Sequence, residues 1–204
     1  MSTHQNPGQR MPIVLIPLKT FTMAKGRLGD RLSADRRAEL AQFLAGGVID
    51  AATPWPVVVV CDDDEVATFA TERGARVVRV AAHGLNAAIG DGLAALTDSD
   101  ATHVIIAHGD LADPSTLHEL PLTEGVTIVP DRSNDGTNVL ALPIRSLGSF
   151  TPHYGVGSFR AHVDEAQRCG LTVTVHTSEA LAFDVDHPED VDEAQRRHLW
   201  PQMP

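Results

Sequence analysis

Ile13–Val14–Leu15–Ile16, Val57 to Cys61 and Ala75–Val80 are short, branched and almost uninterrupted apolar runs. Runs of that length and branching suit buried strands of a parallel sheet. A helix-length segment separates each from the next, and the connections are short. Strand, helix, strand, helix, strand in that order predicts a parallel sheet joined by right-handed crossovers. The helices carry their own signals. Ser33 is placed to cap a helix over Ala34 to Ala52, in which Leu40, Phe43, Leu44 and Val48 form an apolar stripe; Thr53-Pro54 ends it. Glu65 to Arg73 reads as a second helix, closed by Gly74. The acids Asp62–Asp64 ahead of it read as cap and dipole partners in preference to a ligand site. Gly84–Leu85–Asn86 opens a third helix to about Leu96, and His103 to Ala107 is a fourth strand.

Beyond the fourth strand the pattern changes. Val126–Pro130 is followed by the turn-forming Ser133-Asn134-Asp135-Gly136, and Thr137 to Leu142 resumes as a strand. That hairpin-like excursion predicts a mixed sheet. A glycine-rich segment, Gly155–Val156–Gly157–Ser158, opens a helix to about Arg168, ended by Gly170. Leu171–Val175 is a further strand, and Pro188, Glu189 and Asp190 begin a last helix to about His198. The chain has 204 residues, 43% of them hydrophobic, enough for one core. The expected organisation is a single domain over residues 12–199, after a disordered polar stretch at 1–11.

Charge and cysteine usage narrow the function. The formal net charge is -11, which argues against a broad nucleic-acid or anionic-membrane surface. Cys61 and Cys169 have no metal-ligand spacing. No apolar run approaches the roughly 18 residues of a membrane span, and the N-terminus lacks a signal-peptide core. The expectation is a soluble cytoplasmic protein. If it binds phosphates, it needs local cations or a divalent metal.

Such groups are present. The loop after the first strand carries Lys19, Lys25 and Arg27, and Lys19 and Lys25 are the only lysines in the chain. In open α/β sheets the loops at the carboxyl ends of strands hold the ligand, so this one reads as a phosphate-binding loop. Asp110 follows the fourth strand and Gly109, a place that suits Mg²⁺ coordination as well as a turn cap. Asp184 and Asp186 would share one face of an extended segment and repel each other unless a cation sits between them; Asp186 could instead cap the last helix. The glycines before Ser158 would offer N–H groups to an anion, with Ser158 as cap or phosphate ligand. The Thr137 hydroxyl and the backbone near Gly136 could meet an anion or form only a turn. Asn86 could cap its helix or bond a base or sugar. A site of this kind suits nucleotidyl or phosphoryl transfer, in which catalysis is positioning and charge neutralisation.

Pro17–Leu18–Lys19 with Ala24–Lys25–Gly26–Arg27–Leu28, Leu85–Asn86, Gly109–Asp110–Leu111, Asp131 to Leu140, Gly155 to Ser158 and Phe183–Asp184–Val185–Asp186 together resemble the CofC/FbiD guanylyltransferases, in matching order from about Ile13 to Arg197. These enzymes make the activated phospho-acid precursor of coenzyme F-420. The resemblance implies an α/β, single-domain, three-layer nucleotidyltransferase fold of the nucleotide-diphospho-sugar transferase type, with a mostly parallel mixed sheet. It implies Mg²⁺ on Asp110, Asp184 and Asp186. Thr137, Gly155 and Ser158 would bind a phospho-acid: phosphoenolpyruvate, 2-phospho-L-lactate or 3-phosphoglycerate. Lys19, Lys25 and Arg27 would be catalytic cations facing the phosphates, with Lys19, Lys25 and Asn86 on the GTP. The implied partners are GTP, the phospho-acid and the next enzyme of the F-420 pathway, with the chain a monomer or homodimer. Where the family usually has Gly-Asp-Leu-Pro, this chain reads Gly109–Asp110–Leu111–Ala112, with its proline displaced to Pro114. Two alternatives stand beside this reading: a nucleotide-sugar glycosyltransferase, whose metal motif is also Asp-x-Asp, and a non-catalytic nucleotide-binding module.

Overall fold

A computed structural model describes residues 10–81 and 84–200. Seven strands form one sheet in the order β3-β2-β1-β4-β6-β5-β7. They are β1 (Ile13–Pro17), β2 (Val57–Cys61), β3 (Arg76–Arg79), β4 (His103–Ala107), β5 (Val126–Pro130), β6 (Thr137–Pro143) and β7 (Val173–Val175). β1 pairs in parallel with both β2 and β4, and β2 with β3. β6 runs antiparallel to β4 and β5, so the expected mixed sheet is present. The helices are α1 (Ala34–Ala52), α2 (Asp64–Glu72), α3 (Leu85–Ala94), α4 (Ser158–Arg168) and α5 (Pro188–Arg196).

The pleat explains the three layers. Val14, Ile16, Val59 and Cys61 face one side and pack with Ala45, Val48 and Ile49 of α1 and Val66 and Ala70 of α2. Leu15, Val58, Val60 and Ile106 face the other and pack with Ile89 and Leu93 of α3 and Ala166 of α4. Both faces are covered, as a largely parallel sheet requires. Gly92 lets α3 lie close on the sheet: a Cβ there would meet Val60 Cγ2 at 2.6 Å and Leu15 Cδ1 at 3.0 Å. A third apolar group joins α5 to α1 through Leu40, Leu44, Val191 and Trp200. Packing therefore reaches one residue past the domain end expected at 199. Of the stretch expected to be disordered, residues 1–9 lie outside the described residues, whereas the Met11 carbonyl accepts a hydrogen bond from Thr102 N.

The caps largely follow the sequence. The Ser33 side chain accepts from Arg36 N, and Asp63 accepts from Val66 N, so the Asp62–Asp64 cluster acts as a helix start. α3 differs. Gly84 is its cap residue and no side chain caps it. α5 differs too, since His187 and not Asp186 is its cap residue.

Candidate active site

The chain builds β1, β2 and β3 outward in one direction and then returns to place β4 on the other side of β1. Ligands of open α/β sheets sit at the carboxyl ends of strands around such a switch. β1 ends at Pro17 and leads into the lysine loop; β4 ends at Ala107 and leads into His108–Gly109–Asp110. Because β6 is antiparallel, its first residues lie at the same edge, where His108 N donates to the Asn138 carbonyl. The result is a cleft of about 1050 Å³ lined by the lysine loop, Asp110, Asp184, Asp186 and the glycine-rich segment.

One carboxylate oxygen from each of Asp110, Asp184 and Asp186 lies within 4.8 Å of the others. Residues more than seventy positions apart in sequence meet because Leu111 and Asp184 form an antiparallel bridge. Ala112 N donates to the Phe183 carbonyl at 2.8 Å, and Val185 N to the Asp110 carbonyl at 3.2 Å. The displaced proline matters here, because a proline at position 112 would have no N–H to give. Asp190 accepts from Asp186 N and His187 N, which leaves the Asp186 carboxylate free to face the cleft. Asn138, not singled out in the sequence, bonds Asp184 directly, and Arg132 packs on its neighbour Phe183. Asn138, 2% exposed, donates from Nδ2 to the Leu181 carbonyl and to Asp184 Oδ1. Arg132 stacks on the Phe183 ring at 3.6 Å and forks onto Glu193. Neither leaves a periodic trace in the sequence.

Lys25 sits among the acids. Its Nζ donates to Asp110 Oδ2 at 2.7 Å and to Asp186 Oδ1 at 3.1 Å, and its side chain is 7% exposed. Arg27 Nη1 donates to Asp186 Oδ2 at 3.1 Å. Burial opposes the charge on Lys25, but Asp110 and Asp186 outweigh it and hold the ammonium above its ordinary pKa. Burial likewise opposes the Asp110 carboxylate, and Lys25 outweighs it, keeping Asp110 below the usual range. Asp184 has no such cation among the described residues: burial, then the charge of Asp110, push it up to about 6. Asp110 Oδ1 is buried with no hydrogen-bond partner among the described residues. Three converging carboxylates, one of them with an orphaned oxygen, fit a hard cation, which takes oxygen ligands. Lys19 lines the same cleft, is exposed, and forms no ion pair among the described residues.

Thr137, Gly155 and Ser158 line the same cleft. The hydrogen bonds there differ from expectation. The start of α4 does not offer a row of free N–H groups: Gly157 N donates to Asp135 Oδ2 at 3.0 Å, Ser158 N to the Gly155 carbonyl and Phe159 N to the Asp135 carbonyl. The cap residue is Gly157, so the Ser158 hydroxyl is not a cap. It lines the cleft and has no hydrogen-bond partner among the described residues. Asn86 neither caps α3 nor lines the cleft. Its side-chain amide clasps the Tyr154 backbone, donating to the carbonyl at 2.9 Å and accepting from the N–H at 2.6 Å. Asn86 therefore pins the glycine segment to α3. His108 and Tyr154 also line the cleft with rings 5.1 Å apart, and sequence reasoning did not find them.

The wall beneath this segment is acid-sensitive. Burial, then the nearby His153 and His108, push His162 of α4 down to about 4 from 6.5. Glu165, bonded to Arg168 and to Thr151 N, is held at about 2 against 4.5. The unfolded imidazole binds a proton that the folded one refuses. His162 thus contributes stability above pH 6.5 that is lost as the pH falls toward 4, and Glu165 adds a later loss between 4.5 and 2. Between pH 7 and pH 5 His162 is expected to withdraw about 2 kcal/mol, which Asp184 opposes, so its share is read by urea unfolding as the difference between the pH dependence of the wild type and that of His162→Gln. Equal slopes for the two proteins over that interval would refute the assignment.

Comparison with known proteins now decides the family. The sequence profile described as "Guanylyl transferase CofC like" matches residues 12–195. The chain belongs to that family. Among curated relatives of the CofC-like chain, the phosphoenolpyruvate guanylyltransferase of Sphaerobacter thermophilus is 33% identical over 190 residues, covering 89% of this chain and 91% of the relative. The 2-phospho-L-lactate guanylyltransferase of Methanocaldococcus jannaschii is 29% identical over 194 residues, covering 92% and 84%. Among solved structures, 4-diphosphocytidyl-2C-methyl-D-erythritol synthase of Anaerococcus prevotii superposes with a TM-score of 0.61 at 13% identity, covering 94% of this chain and 99% of that one. At that identity the likeness shows the fold, a single-domain nucleotidyltransferase fold, as expected from the motifs. No helix among the described residues is long and apolar enough to cross a membrane.

Proposed function

We propose that this chain transfers the guanylyl group of GTP to a small phospho-acid, phosphoenolpyruvate first among them, and releases pyrophosphate. Nucleotidyl transfer as the reaction class follows from the CofC-like family. The observation that carries the assignment to this cleft is the convergence of Asp110, Asp184 and Asp186 beside Lys25 and Arg27. Phosphoenolpyruvate is preferred because the more identical curated relative is named for it. 2-Phospho-L-lactate and 3-phosphoglycerate are the other acceptors in this reading. The setting would be coenzyme F-420 biosynthesis in the cytoplasm, with a monomer or homodimer handing a labile product to the next enzyme.

The chemistry asks for little beyond positioning. A phosphate oxygen of the phospho-acid attacks the α-phosphorus of GTP; the bond to the β-phosphate oxygen breaks and pyrophosphate leaves. The attacking phosphate is already ionised, so no general base is needed. The difficulty is bringing two polyanions together in a net-acidic protein. Lys19 and Arg27, at the rim, would meet the nucleotide phosphates, and Lys25 would neutralise charge between them and the carboxylates. Thr137, Gly155 and Ser158 would hold the phospho-acid. Asp110, Asp184 and Asp186 would hold Mg²⁺, whose charge, when bound, offsets the repulsion between the anions and stabilises the leaving group. Asn86 would serve the nucleotide site through the loop it pins.

The test is pyrophosphate release from GTP with each of the three phospho-acids in parallel, with the next enzyme of the pathway present and with and without a chelator. Expected is turnover that needs a phospho-acid, collapses with chelator and returns with Mg²⁺. GTP bound without pyrophosphate release in any arm would instead mark a binding module.

A further inference from the structure

His162 lies on α4 beneath the glycine-rich segment and is 0% exposed. Both ring nitrogens are engaged. The His153 backbone N–H donates to Nε2 at 2.9 Å. A backbone amide can only donate, so Nε2 is a bare lone pair. The neutral imidazole then carries its single proton on Nδ1. Nδ1 lies 2.9 Å from Thr137 Oγ1, so this bond has one direction: the ring donates and the hydroxyl accepts. Thr137 has no other side-chain hydrogen bond among the described residues, is 1% exposed, and lines the cleft. Its own proton therefore has no acceptor among the described residues.

We propose that His162 is a positioning residue that orients the Thr137 hydroxyl as a donor to an anionic oxygen of the phospho-acid. The proposal rests on the reading that places that substrate against Thr137. The alternative tautomer shows what the arrangement avoids. With its proton on Nε2 the ring would face the His153 N–H donor to donor, and Nδ1 would take the Thr137 proton. The cleft would then meet the substrate with hydroxyl lone pairs, which repel an anion. One backbone amide, outside any contact with substrate, so decides which end of the Thr137 O–H dipole the anion sees. The ring is held for the purpose by Tyr154, edge-on at 4.8 Å, and by Phe150, stacked at 6.3 Å. Burial also keeps His162 neutral at physiological pH, so the ring carries a single proton.

The tautomer is read on the unaltered protein by ¹⁵N NMR of labelled histidine, with His162→Asn assigning the signals. Expected is a protonated Nδ1 and a bare Nε2; the reverse pattern, or a charged ring, overturns the proposal. Kinetics then test the role, with KM for phosphoenolpyruvate and for GTP measured in H162F, H162N, T137V and the H162F/T137V double variant. H162F is expected to raise KM for phosphoenolpyruvate about tenfold, as loss of a hydrogen bond to a charged group does. KM for GTP should stay within about twofold, because the nucleotide lies elsewhere. On the T137V background H162F should add less than about twofold. H162N, which returns an N–H near the Nδ1 position, should recover most of the loss. Equal rises for both substrates, or the full effect of H162F persisting without the Thr137 hydroxyl, would reduce His162 to a packing residue. The two readings fail separately: absence of turnover in the wild type sinks the proposed function, whereas a working wild type with unchanged KM in H162F sinks the positioning role alone.

Discussion

Asp184→Asn is expected to abolish nucleotidyl transfer while making the metal-free protein more stable. The two effects come from one charge. Asp184 is partly buried beside Asp110 without a cation of its own among the described residues, and burial and that neighbour push it up to about 6. Its folded pKa lies above the unfolded value, so its ionised form weakens the fold and that weakening grows as the pH rises through 6. A neutral amide of the same shape removes the repulsion and can still accept from Asn138 Nδ2. Discounted for partial exposure, the gain at pH 7.5 is about 1 kcal/mol, or roughly 2–4 °C for a chain of this size. The same substitution removes the charge from one of the three converging carboxylates. Loss of a preorganised contributor to charge stabilisation lowers kcat/KM by about a thousandfold. Thermal scans with and without Mg²⁺, beside the pyrophosphate assay, check both halves. Normal Mg²⁺-dependent turnover would refute the metal assignment, and a fall in Tm would refute the electrostatic one.

The contrast between what the chain announces and what it conceals follows from range. Ile13–Ile16 and Val57–Cys61 are legible as strands because both faces are buried and every position is apolar. Ser33 is legible as a cap because its partner lies three residues away. The three aspartates are legible as residue types at strand ends, yet their meeting depends on a bridge between Leu111 and Asp184 that no local pattern encodes. The misreadings are non-local as well. Glycines before α4 suggest a vacant anion site, but Asp135, from the turn between β5 and β6, already takes the Gly157 N–H. Asn86 stands where a cap or a base contact would be, but Tyr154, sixty-eight residues on, claims both ends of its amide. Lys25 is legible as a cation in a ligand loop, but the contacts of its ammonium with Asp110 and Asp186 are not. Side chains that pair across the fold carry no period, so only coordinates reveal them.

Lys25→Met is expected to destabilise the protein in chelator and to be rescued by Mg²⁺. The ammonium lies between Asp110 and Asp186 with only 7% of its side chain exposed. Methionine fills similar space with an unbranched apolar chain, so packing changes little. What changes is charge: two carboxylates lose their shared counter-ion and face Asp184 as well. Removing one partner of a buried pair costs several kcal/mol; the side chains of Asp110 and Asp186 are 29% and 39% exposed, which reduces this to about 2 kcal/mol. The midpoint in chelator should fall by roughly 4–8 °C. Mg²⁺ should restore most of that loss, because any cation that enters the carboxylate group supplies the missing charge. The same addition should stabilise the wild type less, since there the ammonium already neutralises two of the three acids. Turnover should not recover with stability. With Lys25 absent, the nucleotide phosphates lose a cation that metal alone does not replace, and kcat/KM should stay down about a hundredfold at saturating Mg²⁺. Unfolding midpoints equal to wild type in chelator would mean that the ammonium does not neutralise the acids in solution. A Mg²⁺ response no larger than wild type's would mean that Lys25 and the ion do not share a site.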